Sequence, residues 1–100
     1  MLYNKFMVFE WDKEKSESNF KKHGIDFETA RKIWLDENRV EIEAPYPIEK
    51  RWVEIGAIGD KVWTAIFTIR EGAVRVISVR RSRAKEKKIY DKATFSQNSR

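Results

Sequence analysis

Hydrophobic positions fall first in a short run, then at helical spacing, then in alternation. Phe6-Met7-Val8-Phe9-Glu10-Trp11 is β-branched and aromatic enough to predict a strand. Asp12 follows in a helix N-cap position, and Lys13 to Lys22 is rich in Lys and Glu, with Glu17 and Lys21 spaced to pair one turn apart. The apolar content of that segment is little more than Phe20. It therefore predicts a surface helix anchored at its ends, with Gly24 stopping it. Asp26 can cap a second helix, in which Phe27, Ala30, Ile33 and Trp34 form one face suited to packing on a sheet. Asp36-Glu37-Asn38 ends it.

The pattern then changes to a period of two. Arg39 to Glu43 alternates polar and apolar residues, as a half-buried strand does. Pro45 and Pro47 impose a loop or an edge. Arg51 to Ile58 places Val53, Ile55 and Ala57 on one face, and Gly59-Asp60 suits a hairpin turn. Lys61 to Arg70 is apolar on both faces, with Val62 and Ile66 on one and Trp63, Ala65, Phe67 and Ile69 on the other. That predicts a central strand covered on both sides. Glu71-Gly72 is a second turn, and Ala73 to Arg80 is the last strand. Two tight turns joining three strands predict an antiparallel meander. Ser82 can cap a closing helix to about Asp91. The expected fold class is α+β: an N-terminal strand and two helices, a four-strand antiparallel meander and a C-terminal helix, with the helices on one face of the sheet. No repeat or Gly/Ser linker divides the chain, so residues 1–91 read as a single domain and 92–100 as a flexible tail.

Composition narrows the function. At 41% hydrophobic and 13% aromatic residues, the chain has enough apolar material for a core, which argues against disorder. It has no Cys and 1 His, so disulfides, zinc–thiolate sites, a Cys nucleophile and a His-rich metal site are excluded. No Walker A loop, dinucleotide fingerprint or HExxH motif is present, so no metal or cofactor is expected. No apolar run is long enough to span a membrane, and the apolar stretch near the start is too short for a secretory signal, so a cytoplasmic protein is expected. The net charge of +5 favours a polyanionic partner, although Lys-rich helices alone produce such a surplus.

Arg75-Val76-Ile77-Ser78-Val79-Arg80-Arg81-Ser82-Arg83 delivers four guanidinium groups at and after the end of an internal strand, and Arg forks grip phosphate oxygens in two-point geometry. By strand parity Arg75 shares a face with Ile77 and Val79, and Arg80 lies on the opposite face. Arg residues at a helix start conflict with its positive dipole end, and an anion there would remove the conflict. Glu49-Lys50-Arg51 places a carboxylate and an Arg on one side of an extended segment. The pair suits a base and a phosphate clamp, or a surface salt bridge. Lys22-His23-Gly24 offers an acid/base imidazole, or an ordinary basic helix C-terminus. Tyr90 can donate a proton, stack on a base or pack on the sheet. Trp52, beside Arg51 and off the Val53/Ile55 face, is the Trp set apart from the core as a stacking platform.

Phe9-Glu10-Trp11-Asp12, Lys15, Asn19, Lys22-His23-Gly24, Phe27 and Ala30 together resemble the opening signature of BrnT toxins. Glu49-x-Arg51 with Ile55-Gly56 resembles that family's E-x-R-x-x-x-I-G stretch. Arg75-Val76-Ile77-Ser78-x-Arg80 resembles its R-I-I-S-x-R strand, and Glu86 with Tyr90 its E-R-x-x-Y helix. Val79, Arg81-Ser82 and Lys87 depart from the usual residues and leave the charge in place. The resemblance, over roughly residues 6 to 91, implies a RelE-like, metal-independent ribonuclease that arrests growth. It also implies a BrnA-type antitoxin with a ribbon-helix-helix domain, through which alone the complex meets DNA. On this reading the 2′-oxygen of RNA attacks the adjacent phosphorus. Arg51 and Arg80 stabilise the transition state, Glu49 or His23 takes the proton, and Tyr90 positions substrate or assists the leaving group. Lys22, Arg75, Arg81, Arg83 and Trp52 hold RNA. The alternative is a non-catalytic basic module that binds nucleic acid or an antitoxin.

Overall fold

The structure, a computed structural model, describes residues 7–45 and 49–98. Phe6 and Pro47 lie outside them. Strand β1 (Phe9–Glu10) leads into α1 (Lys13–His23), α2 (Phe27–Ala30) and a 3₁₀ helix (Arg31–Leu35). Strands β2 (Val40–Ala44), β3 (Arg51–Ile58), β4 (Lys61–Arg70) and β5 (Ala73–Arg81) follow, and α3 (Ala84–Asn98) closes the described chain. The sheet order is β1-β5-β4-β3-β2, with β1 parallel to β5 and the other pairs antiparallel. The α+β layout, the meander and the central place of β4 are those expected from the hydrophobic pattern.

One face of the sheet is covered by the apolar residues predicted for the second helix. Phe27, Ala30, Ile33 and Trp34 are fully buried there against Ala65, Phe67, Val74, Val76 and Val79. The rings of Phe9 and Phe67 meet Trp34 edge-on at 5.1 and 5.2 Å. Such pairs add about 0.5–1.5 kcal/mol each beyond the area they bury. Gly56 lets the 3₁₀ helix sit close, because a Cβ there would lie 2.9 Å from Ile33 Cγ2 and 3.0 Å from its carbonyl. The segment expected as one helix thus tightens into 3₁₀ geometry as it passes over β3.

The helices are not all on one face. The β3 and β4 residues that look away from this core, such as Ile55 and Thr64, lie on the side where α3 packs, against β2 and β3. Nor does α3 begin at Ser82 or end near Asp91, for it runs from Ala84 to Asn98. The Ser82 hydroxyl bonds Thr64 at 2.8 Å instead of capping.

Helix α1 is nearly devoid of apolar anchors, and Phe20 is 56% exposed. Its caps are the predicted ones. Asp12 accepts from Lys15 N, and Gly24 ends the helix at φ +76° with its N–H on the Phe20 carbonyl. What fastens it is polar: Ser16 Oγ accepts from Phe27 N at 2.9 Å, and Asn19 binds a sheet edge. Asn19 Nδ2 donates to the Val79 and Ile25 carbonyls at 2.9 and 2.8 Å, and Asn19 Oδ1 accepts from Val79 N at 3.2 Å. Among the described residues β1 pairs with β5 at Val74 and Arg75, and past that point the amide of Asn19 does what a neighbouring strand would do.

Glu54 is fully buried on the core side of β3, opposite Glu41 on β2, with Arg39 Nε 3.6 Å from its carboxyl. Burial, and a hydrogen bond to Glu41 that requires a proton, push Glu54 up to about 9.

Asn19→Ala should cost about 2–4 kcal/mol in urea unfolding, because it strands buried backbone groups; a loss well under 1 kcal/mol would contradict this role. Glu54 holds a proton in the folded chain that the unfolded chain releases near 4.5, so its contribution to stability falls as pH rises from there through about 9. Glu54→Gln should flatten that decline in unfolding midpoints measured across the range. An unchanged slope would show that Glu54 is ionised when folded.

Candidate active site

The register of β5 against β4 slips by one at a β-bulge. Ile66 faces Ser78 but Phe67 faces Val76, leaving Ile77 as the extra residue. Strand parity is therefore broken between Arg75 and Arg80, and the expectation that they lie on opposite faces is overturned. Arg75 pairs with Thr68, and Arg80 with Thr64. Thr64 and Thr68 are four residues apart on β4, so both guanidinium-bearing positions share one face. Val53, two residues from Arg51, pairs with Ile66 on that same face. The bulge thus brings Arg51, Arg75 and Arg80 together on the side of the sheet that faces α3.

They do not form one pocket. The Thr68 and Thr64 rows are about 13 Å apart along β4. In the first row Glu10 of β1, Arg75, Thr68 and Arg51 lie side by side across the sheet. Glu10 Oε1 is 3.6 Å from Arg75 Nη1. One step further along, Arg70 Nη2 is 3.6 Å from Glu49 Oε1, again on this face. Both separations are too long for hydrogen bonds, so the ion pairs leave donor and acceptor capacity for a ligand. Glu49 is thus paired with Arg70, the residue opposite it.

The second row is closed on itself. Arg80 forms a two-point pair with Glu86, Nη1 to Oε1 at 2.6 Å and Nη2 to Oε2 at 2.8 Å. Glu86 also accepts from Arg83 N at 2.7 Å and from Thr64 Oγ1 at 3.2 Å. The Arg80 hydrogen bonds, and then that of Arg83, hold its carboxyl down at about 2, and Arg80 is raised in turn. Glu86 stands in the first turn of α3 and satisfies the N–H of the residue before the helix, as the acidic half of a capping box does. The anion needed to reconcile Arg80, Arg81 and Arg83 with the helix start is this internal carboxylate.

Tyr90 fastens α3 over the sheet. Its hydroxyl donates to Asp36 Oδ2 at 2.6 Å, and the same oxygen accepts from Ala57 N at 2.7 Å. Burial first, and then Asp36, push Tyr90 up to about 12. Trp52 lies on the opposite side of β3 from Arg51, stacked on Phe67 at 5.9 Å against the core. The face away from Val53 and Ile55 is the one that meets the helical core, which removes Trp52 from the arginine face. Arg81 points to that other side too, 5.5 Å over the Trp63 ring. The Arg83 side chain is exposed beside α3. Lys22 and His23 end α1 at the outer edge of β5, and among the described residues no hydrogen bond or ion pair joins them to the arginines.

Sequence reasoning missed Arg70, Glu10 and Glu86 as members of this face. Arg70 and Glu10 carried a signal in strand parity, once the strand order is known. A groove of about 610 Å³ between α1 and α2, lined by Trp11, Ser16, Phe20 and Asp26, belongs to the helical layer and not to the arginine face. Among the described residues no three His, Cys, Asp or Glu side chains are placed to hold a metal ion. No helix among them is long and apolar enough to cross a membrane.

Residues 11–86 match the model of a family described as the ribonuclease toxin, BrnT, of type II toxin–antitoxin systems. No curated protein matches the chain. The matched span contains Glu49, Arg51, Arg70, Arg75, Arg80 and Glu86. Glu10 and Tyr90 fall just outside it.

Glu86→Gln should lower stability at neutral pH by about 2 kcal/mol, through loss of a partly buried two-point ion pair. The carboxyl is depressed from 4.5 to about 2, so its stabilisation is complete above the unfolded value and lost as pH falls through about 2. Unfolding midpoints of the variant should therefore be flatter than the parent's over that acid range. Parallel acid profiles would contradict the assignment.

Proposed function

The chain belongs to the BrnT family of ribonuclease toxins of type II toxin–antitoxin systems, and from that membership we propose that it cleaves RNA laid across the arginine face of its sheet. The observation that carries this reading is the convergence of Arg51, Arg70 and Arg75, from three adjacent strands, with Glu49 and Glu10 beside them. Guanidinium groups fixed on a sheet are suited to the extra charge that develops when the 2′-oxygen attacks phosphorus. The cleavage is metal-independent, with Arg51 and Arg75 on the reacting phosphate and Glu49 taking the 2′-hydroxyl proton. Glu49 suits a base by its place: it stands on this face 3.6 Å from Arg70 and two positions before Arg51, beside the phosphate that these arginines would hold.

Arg80 holds a second place on the strand. Its two-point pair with Glu86 suits it to fixing the start of α3 at the end of the arginine face, with Tyr90 locking that helix down. The protein acts in the cytoplasm. Its neutralising partner is a BrnA-type antitoxin with a ribbon-helix-helix domain, and the pair reaches DNA only through that domain.

A second reading, RNA binding without cleavage, draws on the same engagement of Arg80 by Glu86, which leaves fewer cations for a transition state. Purified chain on a short RNA separates the two. Arg51→Ala should reduce cleavage about 10²–10³-fold, the scale of losing one charge-stabilising group. A substrate carrying a single 2′-deoxy nucleotide at the cut should resist. Salt-dependent binding that leaves RNA intact selects the binding reading, and undiminished cleavage of the 2′-deoxy substrate removes 2′-oxygen attack.

A further inference from the structure

In-line attack at phosphorus puts the entering 2′-oxygen and the leaving 5′-oxygen on opposite sides of the phosphate, so a base and an acid must stand on opposite flanks of the cations that hold it. The arginine face has carboxylates on both flanks. Glu49 stands at the β3 side, beside Arg51 and Arg70. Glu10 stands at the β1 side, beyond Arg75. From β1 to β3 spans three interstrand spacings, about 14 Å, enough for a phosphate and its two sugars between inward-reaching side chains.

We propose that Glu10 is the general acid of the reaction, the counterpart of Glu49. The inference rests on the ribonuclease reading above. The two carboxylates differ in the way an acid and a base should. Glu49 has Arg70 at 3.6 Å and Arg51 two positions along the chain; among the described residues Glu10 is ion-paired with Arg75, at 3.6 Å. The side chain of Glu10 is 41% exposed, so it exchanges protons with solvent. A phosphate held on Arg75 lies beside the Glu10 carboxyl, on the flank where the leaving oxygen needs a proton donor.

The remaining acidic candidates are occupied. Glu86 is consumed by Arg80, Arg83 N and Thr64, and is held at about 2, too weak a base to carry a proton. Tyr90 is pushed up to about 12 by burial and Asp36, and its hydroxyl is engaged as a hydrogen-bond donor to Asp36. Glu10 is also placed by backbone pairing. β1 is registered on β5 at Phe9–Val74 and Glu10–Arg75, and the Val74 N–H bonds the Val8 carbonyl at 2.8 Å.

Glu49 accepts the 2′-hydroxyl proton while the 2′-oxygen forms its bond to phosphorus. The bond from phosphorus to the 5′-oxygen breaks, and Glu10 delivers its proton to that oxygen. The products are a 2′,3′-cyclic phosphate and a 5′-hydroxyl. Glu49 then releases a proton to solvent and Glu10 takes one up, which restores both groups.

A leaving group that needs no proton tests this directly. Wild type, Glu10→Gln and Glu49→Gln are compared on a short RNA and on the same RNA with a bridging 5′-sulfur at the cut, with thermal unfolding as the check on fold. Glu10→Gln should lose about 10²-fold in kcat on normal RNA with KM little changed, the usual scale of general acid catalysis. On the 5′-thio substrate it should match wild type, whereas Glu49→Gln should be impaired on both. Glu10→Asp, which keeps a proton donor on a shorter arm, should fall between on normal RNA and serves if Glu10→Gln unfolds. Equal impairment of the Glu10 variants on both substrates, or wild-type cleavage of normal RNA by them, overturns the acid assignment and leaves the ribonuclease reading standing. Failure of wild type to cut either substrate overturns both.

Discussion

One extra residue, Ile77, decides what this sheet presents to its surroundings. Side chains alternate along a strand, so an insertion of one exchanges the two faces for everything beyond it. In β5 the bulge leaves Val74, Val76 and Val79 all turned to the core, although Val79 is an odd number of positions, three, beyond Val76. It also leaves Arg75 and Arg80 together on the opposite face. A regular strand would have to bury one of these arginines or expose one of the valines. The core and the arginine face are therefore satisfied by the same irregularity, and both depend on it.

Polar groups hold the rest in place where the apolar core cannot reach. Asn19 completes the hydrogen bonding of β5 beyond the end of β1 and so fixes a helix that has almost no hydrophobic face. Glu86 closes the other end of the strand by serving Arg80, Thr64 and the start of α3 at once. Asp36 does the same between β3 and Tyr90. These bonds hold α3 across β3 and β2. The carboxyls respond to pH in opposite directions because their surroundings differ. Glu86 is ringed by donors, and Glu54 shares a buried place with another carboxyl.

Much of this is legible in the chain itself. The 3.6-residue spacing of Phe27, Ala30, Ile33 and Trp34 against the period of two from Arg39 onward separates helix from strand, and the caps at Asp12, Gly24 and Asp26 mark boundaries. The residues that escape are those whose partners are distant in sequence. Asn19 reads as one more polar residue on a charged helix until Val79 is set beside it. Glu10 and Arg70 look like strand-end charges until the parallel pairing of β1 and the register of β3 place them around Arg51 and Arg75. A bulge leaves no mark in a pattern of alternating valines and arginines, so parity puts Arg75 and Arg80 on the wrong sides. Trp52 reads as a surface ring because it lies off the Val53 and Ile55 face, yet its own face is the one turned to the helical core.

The central claim is that RNA lies on the arginine face of the sheet. Binding of a non-cleavable 2′-deoxy oligonucleotide, followed as a function of salt, tests it most directly. Removing one cation that neutralises a phosphate of a single strand makes log K against log salt shallower by about 0.7. Arg51→Ala, Arg70→Ala and Arg75→Ala should each reduce the slope by about that amount, while Arg31→Ala, on the helical layer, should leave it unchanged. Equal slopes for all four variants, or a drop for Arg31→Ala alone, would place the nucleic acid elsewhere.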